Sequence, residues 1–420
     1  MYLSHARAAD RRTDDGGPGR RVSKRTLASL PPTVLALGSV SLVTDASTEM
    51  VTAVLPMYLV YGLGIGFLKL GALDGLYTGA TALFRLGGGY AADRLRRPKA
   101  VATAGYALSA LTRLALPAVG TSVAGLSTVV AADRVGKGIR TAPRDAMITA
   151  VSPEADLGRA FGVHRAMDTC GALLGPLLAF AVLFAVPGGY DTAFAVSFCL
   201  AAAGVVIMLF FVDGRAAAAP REDRLRSMRA GLTACRAPEV RRCLLTTALL
   251  GVFTIGDMSL FVGVQLRLDA PAAALPLLPL ITAGVFMAAA APLGRLADRL
   301  GRRRTFVAGH TAAAFAYLVV LAAPLDGWPG VVAVLVLHGL FYAATDGVLM
   351  AYVGPHLPEK ARTTGLAVFQ SVQAIGRALG AITFGVLAAW YGLATAFTVF
   401  AAGMAASIVG TALFLDRSSR

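Results

Sequence analysis

Long apolar stretches, each about the length of a bilayer crossing, alternate with short polar turns along this chain. A helix needs about 20 mostly apolar residues to cross the hydrocarbon core. Windows of that size predict helices over 33–61, 70–92, 100–118, 122–146, 157–185 and 191–213. A charged stretch runs from Arg215 to Arg242, and six more windows follow over 243–266, 272–297, 304–323, 329–354, 362–390 and 393–415. Pro56, Pro143, Pro176 and Pro292 fall inside these windows, and membrane helices accommodate proline. The pattern predicts an all-α integral membrane fold of about 12 transmembrane helices. Its parts are a tail over 1–30, a six-helix bundle over 31–214, a linker over 215–242, a second six-helix bundle over 243–416 and a short tail over 417–420.

Composition agrees. Of the 420 residues 56% are hydrophobic and 15% charged, where a soluble protein carries about a quarter charged residues. The first thirty residues are polar, basic and glycine-containing, a composition that predicts disorder. The apolar run after them is too long for a signal-peptide core and lacks its cleavage pattern, so it reads as the first span. Arg94, Arg96, Arg97 and Lys99, the central linker, Arg299 and Arg302 to Arg304, and Lys360 with Arg362 occupy one set of alternate loops; the opposite loops hold little beyond Lys69 and Arg267. Lys/Arg-rich loops face the cytoplasm, which predicts a multi-pass plasma (inner) membrane protein with cytoplasmic termini and linker. The net charge of +15 then reads as a topology signal and an attraction to anionic headgroups of the lipid bilayer. No nucleic-acid module accompanies it, so no nucleic-acid partner is expected. Cys170, Cys199, Cys235 and Cys243 have no zinc or redox spacing and read as small core residues.

Two loops repeat. GYAADRLRRPKA starts at Gly89 and GRLADRLGRRRTF at Gly294; Asp93 and Asp298 are 205 positions apart (298 − 93), and a similar offset relates Gly162 to Gly365. A six-helix unit used twice is a mark of transporter architecture. The second loop resembles the G-x-x-x-D-R-x-G-R-R loop of the major facilitator superfamily through Gly294, Asp298, Arg299, Gly301, Arg302 and Arg303. The first copy keeps Gly89, Asp93, Arg94 and Arg97 but has Arg96 at the usual glycine. A carboxylate at one helix end can sit against the positive N-terminus of another. Asp93 is therefore expected near the start of the eleventh span, around Thr364, and Asp298 near the start of the fifth, around Gly158, as a latch between the halves. The arginines also serve topology alone in a plainer reading.

Ionisable residues inside spans mark functional candidates by their cost in hydrocarbon. Asp45 and Glu49 share a face of the first span, four positions apart. In the fourth, Asp133, Lys137, Arg140 and Arg144 form one stripe that lines a wet cavity or pairs with itself, Asp133 with Lys137. Arg134-x-x-x-Gly138 resembles the superfamily's fourth-span motif, in which an arginine is linked to proton movement; Lys137 replaces its usual glutamine. Gly171-x-x-x-Gly175-Pro176 resembles the antiporter signature of drug–proton exchangers, with Ala179 and Phe180 in place of the closing glycines. His164, Arg165 and Asp168 precede it; Asp168 reads as a proton or substrate site, or as a buried partner for Arg134 or Lys137. In the second half Asp257 lies in the seventh span, His338, Tyr342 and Asp346 share a face of the tenth, and Gln370, Gln373 and Arg377 share one of the eleventh. His310 reads as a packing histidine. The string GKGIRTAPRDA is similar to one recurring in a bacterial branch of the superfamily and carries no cargo assignment.

The resemblance implies a secondary transporter moving a small-molecule substrate by alternating access. Proton-coupled export is the leading reading, with Asp45, Glu49, Asp133 and Asp168 as proton carriers. Symport of an anionic nutrient is the second, favoured by Lys137, Arg140 and Arg377. A non-transporting membrane receptor or scaffold is the third. No nucleotide loop, nucleophile elbow or metal-ligand set is present in the sequence, so no enzyme activity, cofactor or metal is expected. One chain contains both halves and is expected to work as a monomer.

Overall fold

The computed structural model describes residues 30–80, 97–153, 156–213, 233, 237–269, 272–322, 327–357 and 362–416. The first half holds α1 (Pro32–Met57), α2 (67–80 of the described chain), α3 (Pro98–Ala118), α4 (Val123–Val151), α5 (Leu157–Ala185) and α6 (Tyr190–Phe211). The second holds α7 (Pro238–Val252), α8 (Asp257–Arg267), α9 (Leu278–Leu300), α10 (Arg302–Leu321), α11 (Trp328–Val353), α12 (Arg362–Tyr391) and α13 (Leu393–Asp416). Among the described residues nine helical segments are long and apolar enough to cross a membrane. α4 is not one of them, because its charged stripe interrupts every 18-residue window.

Proline sets several starts. α1, α3 and α7 open on Pro32, Pro98 and Pro238, where the missing N–H has no intrahelical partner to lose. α7 thus starts at Pro238, inside the charged stretch that runs from Arg215 to Arg242. Near the end of α1, Pro56 cannot donate its turn's hydrogen bond, and the chain widens into a π turn over Tyr58–Gly62. Leu63 N–H there reaches back to Tyr58 O at 2.9 Å.

The seventh span is not one helix. It breaks between Val252 and Asp257, and its freed groups find partners: Ile255 N–H donates to the Tyr317 hydroxyl at 3.0 Å. Gly380 of α12 lets the break approach, since a Cβ there would lie 2.6 Å from Val252 O. Irregular backbone inside a membrane is tolerated where protein satisfies it in this way.

The repeat seen in the sequence recurs in the packing. α1 lies against α5 and α6, and α3 against α4 and α6; α7 lies against α12 and α13, and α10 against α11 and α13. Large apolar side chains such as Phe184, Phe210, Phe211 and Trp390 stand exposed on the outer faces, which suits hydrocarbon rather than water. Cys243 is buried, while Cys170 and Cys199 are exposed and so do not fill the core; Cys235 lies outside the described residues.

Gly301 turns the loop between α9 and α10 at φ +103°, a left-handed setting that glycine adopts readily. Gly294 stands in open space and Arg299 and Arg303 lie on the two flanks of that turn. Asp298 accepts from Arg302, with an ion pair of 3.1 Å, and Arg302 also donates to Ala351 O at 2.8 Å. Asp298 is 65% exposed, and among the described residues its carboxylate meets Arg302 and not the start of α5. Arg97 precedes α3; Gly89, Asp93 and Arg94 lie outside the described residues.

Candidate functional site

Charged side chains gather at mid-height in both halves. In the first, α4 supplies cations and α1 and α5 supply carboxylates. Lys137 Nζ stands 3.7 Å from Glu49 Oε1, and Arg140 Nη2 3.4 Å from Asp45 Oδ1. Arg144 stands 3.8 Å from Asp168 and 3.0 Å from its neighbour Asp145; Arg165 stands 3.6 Å from Asp168. The carboxyl groups of Asp45 and Asp168 lie within hydrogen-bonding reach of each other. Ser41 Oγ links Arg144, at 3.3 Å, to His164 Nε2, at 2.9 Å.

Two sequence expectations change here. Asp133 does not pair with Lys137. It sits deeper, between Arg113 of α3 and Arg134. Asp168 partners neither Arg134 nor Lys137; its ion pairs are to Arg144 and Arg165. The Arg113–Asp133–Arg134 triad is almost wholly buried: Arg113 also donates to Thr48 Oγ1 at 3.1 Å, and Arg134 lies 3.8 Å over the Tyr77 ring. Arg113 stands outside the sequence-predicted set, although one arginine within an apolar span is itself the signal.

The glycines of the antiporter-like string bring these helices together. Gly171 meets Leu42 O of α1, and a Cβ on Gly175 would lie 2.7 Å from both Ala46 O and Met50 N. Pro176 is buried beside them. The string thus presses α5 against the helix carrying Asp45 and Glu49.

In the second half Asp257 opens α8, just past the break. Its carboxylate accepts from Tyr342 OH at 2.8 and 3.0 Å and faces His338 Nε2 at 3.1 Å. His338 is fully buried, and its Nδ1 has no partner. Arg377 Nη2 lies 3.5 Å from Asp346 Oδ1, with its guanidinium 5.0 Å over the Tyr342 ring. Gln373 is half-buried on the same helix as Arg377. His310 does not join them. It contacts Phe306 O at 2.9 Å and packs against Phe306 and Phe341. Among the described residues no group of His, Cys, Asp and Glu could hold a metal ion.

The halves join at the end remote from the basic loops. α1 and α5 meet the turn at Ala272–Leu277 there, and Tyr61 donates to Gln265. Among the described residues, an added Cβ on Gly158, Gly162 or Gly347 near the basic end would meet nothing within 4 Å.

Comparison with known proteins agrees with this architecture. The family model of the Major Facilitator Superfamily matches residues 37–293 and 281–420. An uncharacterised MFS-type transporter of Methanocaldococcus jannaschii is 29% identical over 355 residues, covering 82% of this chain and 85% of the relative. Among solved structures, the nucleoside transporter NupG (a D323A mutant) superposes with a TM-score of 0.81 at 15% identity, covering 91% of this chain and 99% of that one. A POT family transporter in complex with 5-aminolevulinic acid gives a TM-score of 0.74 at 15% identity, over 93% of this chain and 98% of that one. The chain belongs to the Major Facilitator Superfamily and is a multi-pass membrane transporter of that family.

Proposed function

We propose that this protein exports small organic molecules in exchange for protons, by alternating access across the plasma membrane. The observation that supports this reading is the meeting of Asp45 and Asp168 beside Arg140 and Arg144. Two carboxyls this close favour holding a proton between them, and the neighbouring arginines favour its release. A site that gains a proton on one side of the membrane and gives it up on the other supplies the alternation that exchange needs. The basic loops argue for a cytoplasmic basic end. Closure at the opposite end, where Tyr61 meets Gln265, supports a state in which an exporter takes up cargo from the cytoplasm.

Symport of an anion drew on Lys137, Arg140 and Arg377. Each stands beside a carboxylate, Glu49, Asp45 and Asp346 respectively, so an anionic cargo would have to displace a partner already in place. That favours exchange over symport.

The test is transport-linked pH change in proteoliposomes, screened with drugs, organic anions, nucleosides and short peptides; a nucleoside transporter and a peptide transporter share the fold. A cargo-dependent loss of an imposed proton gradient, with cargo moving against the protons, is expected. Asp168→Asn should cut that coupled flux by about tenfold, within the usual range of coupling between two ligand sites, while leaving cargo counterflow. Cargo moving with the protons would establish symport instead, and full coupling in Asp168→Asn would remove the residue from the proton path.

A further inference from the structure

The end remote from the basic loops is held by a contact outside the repeated loops and outside both charged clusters. Asp74 of α2 is 2% exposed. Its Oδ2 accepts the Ser259 N–H at 3.1 Å, and the Met258 N–H lies within reach of the same carboxylate. These are first-turn N–H groups of α8, left without intrahelical partners by the break in the seventh span. A side chain of the first half therefore caps a helix of the second, with the acceptor geometry of an N-cap. Gly256 lies over the carboxylate, where a Cβ would have no room. Around this cap α2 and α12 touch backbone to backbone. A Cβ on Gly71 would lie 2.5 Å from Ala381 O, and one on Gly75 2.7 Å from Ala378 O.

The capped helix also begins the candidate site. Asp257 is its first residue, two positions before Ser259, and it is the group that His338 and Tyr342 hold. We propose that Asp74 is a positioning residue of the transport cycle, which latches this end shut by capping α8 and thereby fixes Asp257 toward His338 and Tyr342. When the halves part here, α8 loses its cap and Asp257 its fixed setting. Opening the gate and freeing the carboxylate are one event. The proposal rests on alternating access, whatever the cargo or its direction.

The experiment uses the full chain with its four cysteines replaced, reconstituted in proteoliposomes. One reporter is Gln265→Cys, 7% exposed at the latched end; the other is Gly162→Cys, exposed near the basic end. Labelling rates with a membrane-impermeant maleimide are read for each. Asp74→Ala should raise labelling at position 265 by about fivefold, the population shift that loss of one cap gives, and lower it at position 162. Asp74→Asn, whose side chain also caps helices, should restore most of the wild-type pattern. If Asp74→Ala does not fold, Ser259→Pro removes the accepted N–H within a first turn that tolerates proline and should give the same shift. Reporters in the otherwise unsubstituted protein that never exchange accessibility under an imposed gradient would sink the alternating-access reading itself. Reporters that do exchange, with Asp74→Ala or Ser259→Pro labelled at the unsubstituted rates, would overturn the latch alone.

Discussion

Arg113 reaches from α3 to Asp133, whose other oxygen is taken by Arg134. The three side chains carry two positive charges and one negative, nearly out of reach of water. Removing one partner from a buried pair is costly because it strands a charge. The triad makes this unequal. Arg113→Leu leaves Asp133 paired with Arg134. Asp133→Leu leaves two guanidinium groups facing each other, and should destabilise by about 3–5 kcal/mol. Thermal unfolding in detergent should therefore rank Asp133→Leu well below Arg113→Leu; equal stabilities would mean that the triad is not balanced through Asp133. Asp133 and Arg134 were legible in the sequence as charges inside an apolar span; Arg113 carries the same signal in the third span but stands outside the candidates. The partners of these charges were not legible. Asp133 and Lys137 are four apart on α4, yet Asp133 looks toward α3 and Lys137 toward α1, and only the packed bundle decides that.

Elements were legible to different degrees. Among the described residues ten of the twelve predicted spans needed only adjusted ends, because about 20 apolar residues between polar turns leave few alternatives; the second is described only over 67–80. The break in the seventh was hidden, since Phe253, Thr254, Ile255 and Gly256 are as apolar as any membrane helix interior. Partners outside the segment create it: the Tyr317 hydroxyl, the bare approach of Gly380 and the carboxylate of Asp74. The α1–α5 contact was better signalled, by Gly171 and Gly175. Gly175→Val tests it. Its added carbons would enter the space of Ala46 O and Met50 N, and overpacking costs about 1–3 kcal/mol. Because α1 carries Asp45 and α5 carries Asp168, the displacement should also separate the carboxyl pair. The expected outcome is a lowered Tm together with weakened proton-coupled flux. Reduced stability with coupling intact would show that the pair tolerates a wider helix spacing.

For the whole molecule, one six-helix plan used twice explains why the same pairs of helices recur in each half, and why a single joint between the halves can govern access. Here the joint is closed at the end where Tyr61 meets Gln265, Asp74 meets α8, and α2 meets α12. The basic end carries an exposed Asp298 that bonds its own Arg302. Asp298 belongs to the repeated loop, and its partner here is on its own loop rather than on the other half, whereas Asp74 at the other end bonds across the halves. Conformational exchange of this kind has a direct mechanical test. Cysteines introduced as Tyr61→Cys and Gln265→Cys, in a background free of other cysteines, stand on opposite halves and can be bridged by a short bismaleimide. The bridge should stop net transport and counterflow alike, because cargo can no longer leave by that end. Each single-cysteine protein treated with the same reagent should keep its activity. Transport at the full rate through the bridged protein would mean that this end does not open during turnover, and that the path between the halves runs elsewhere.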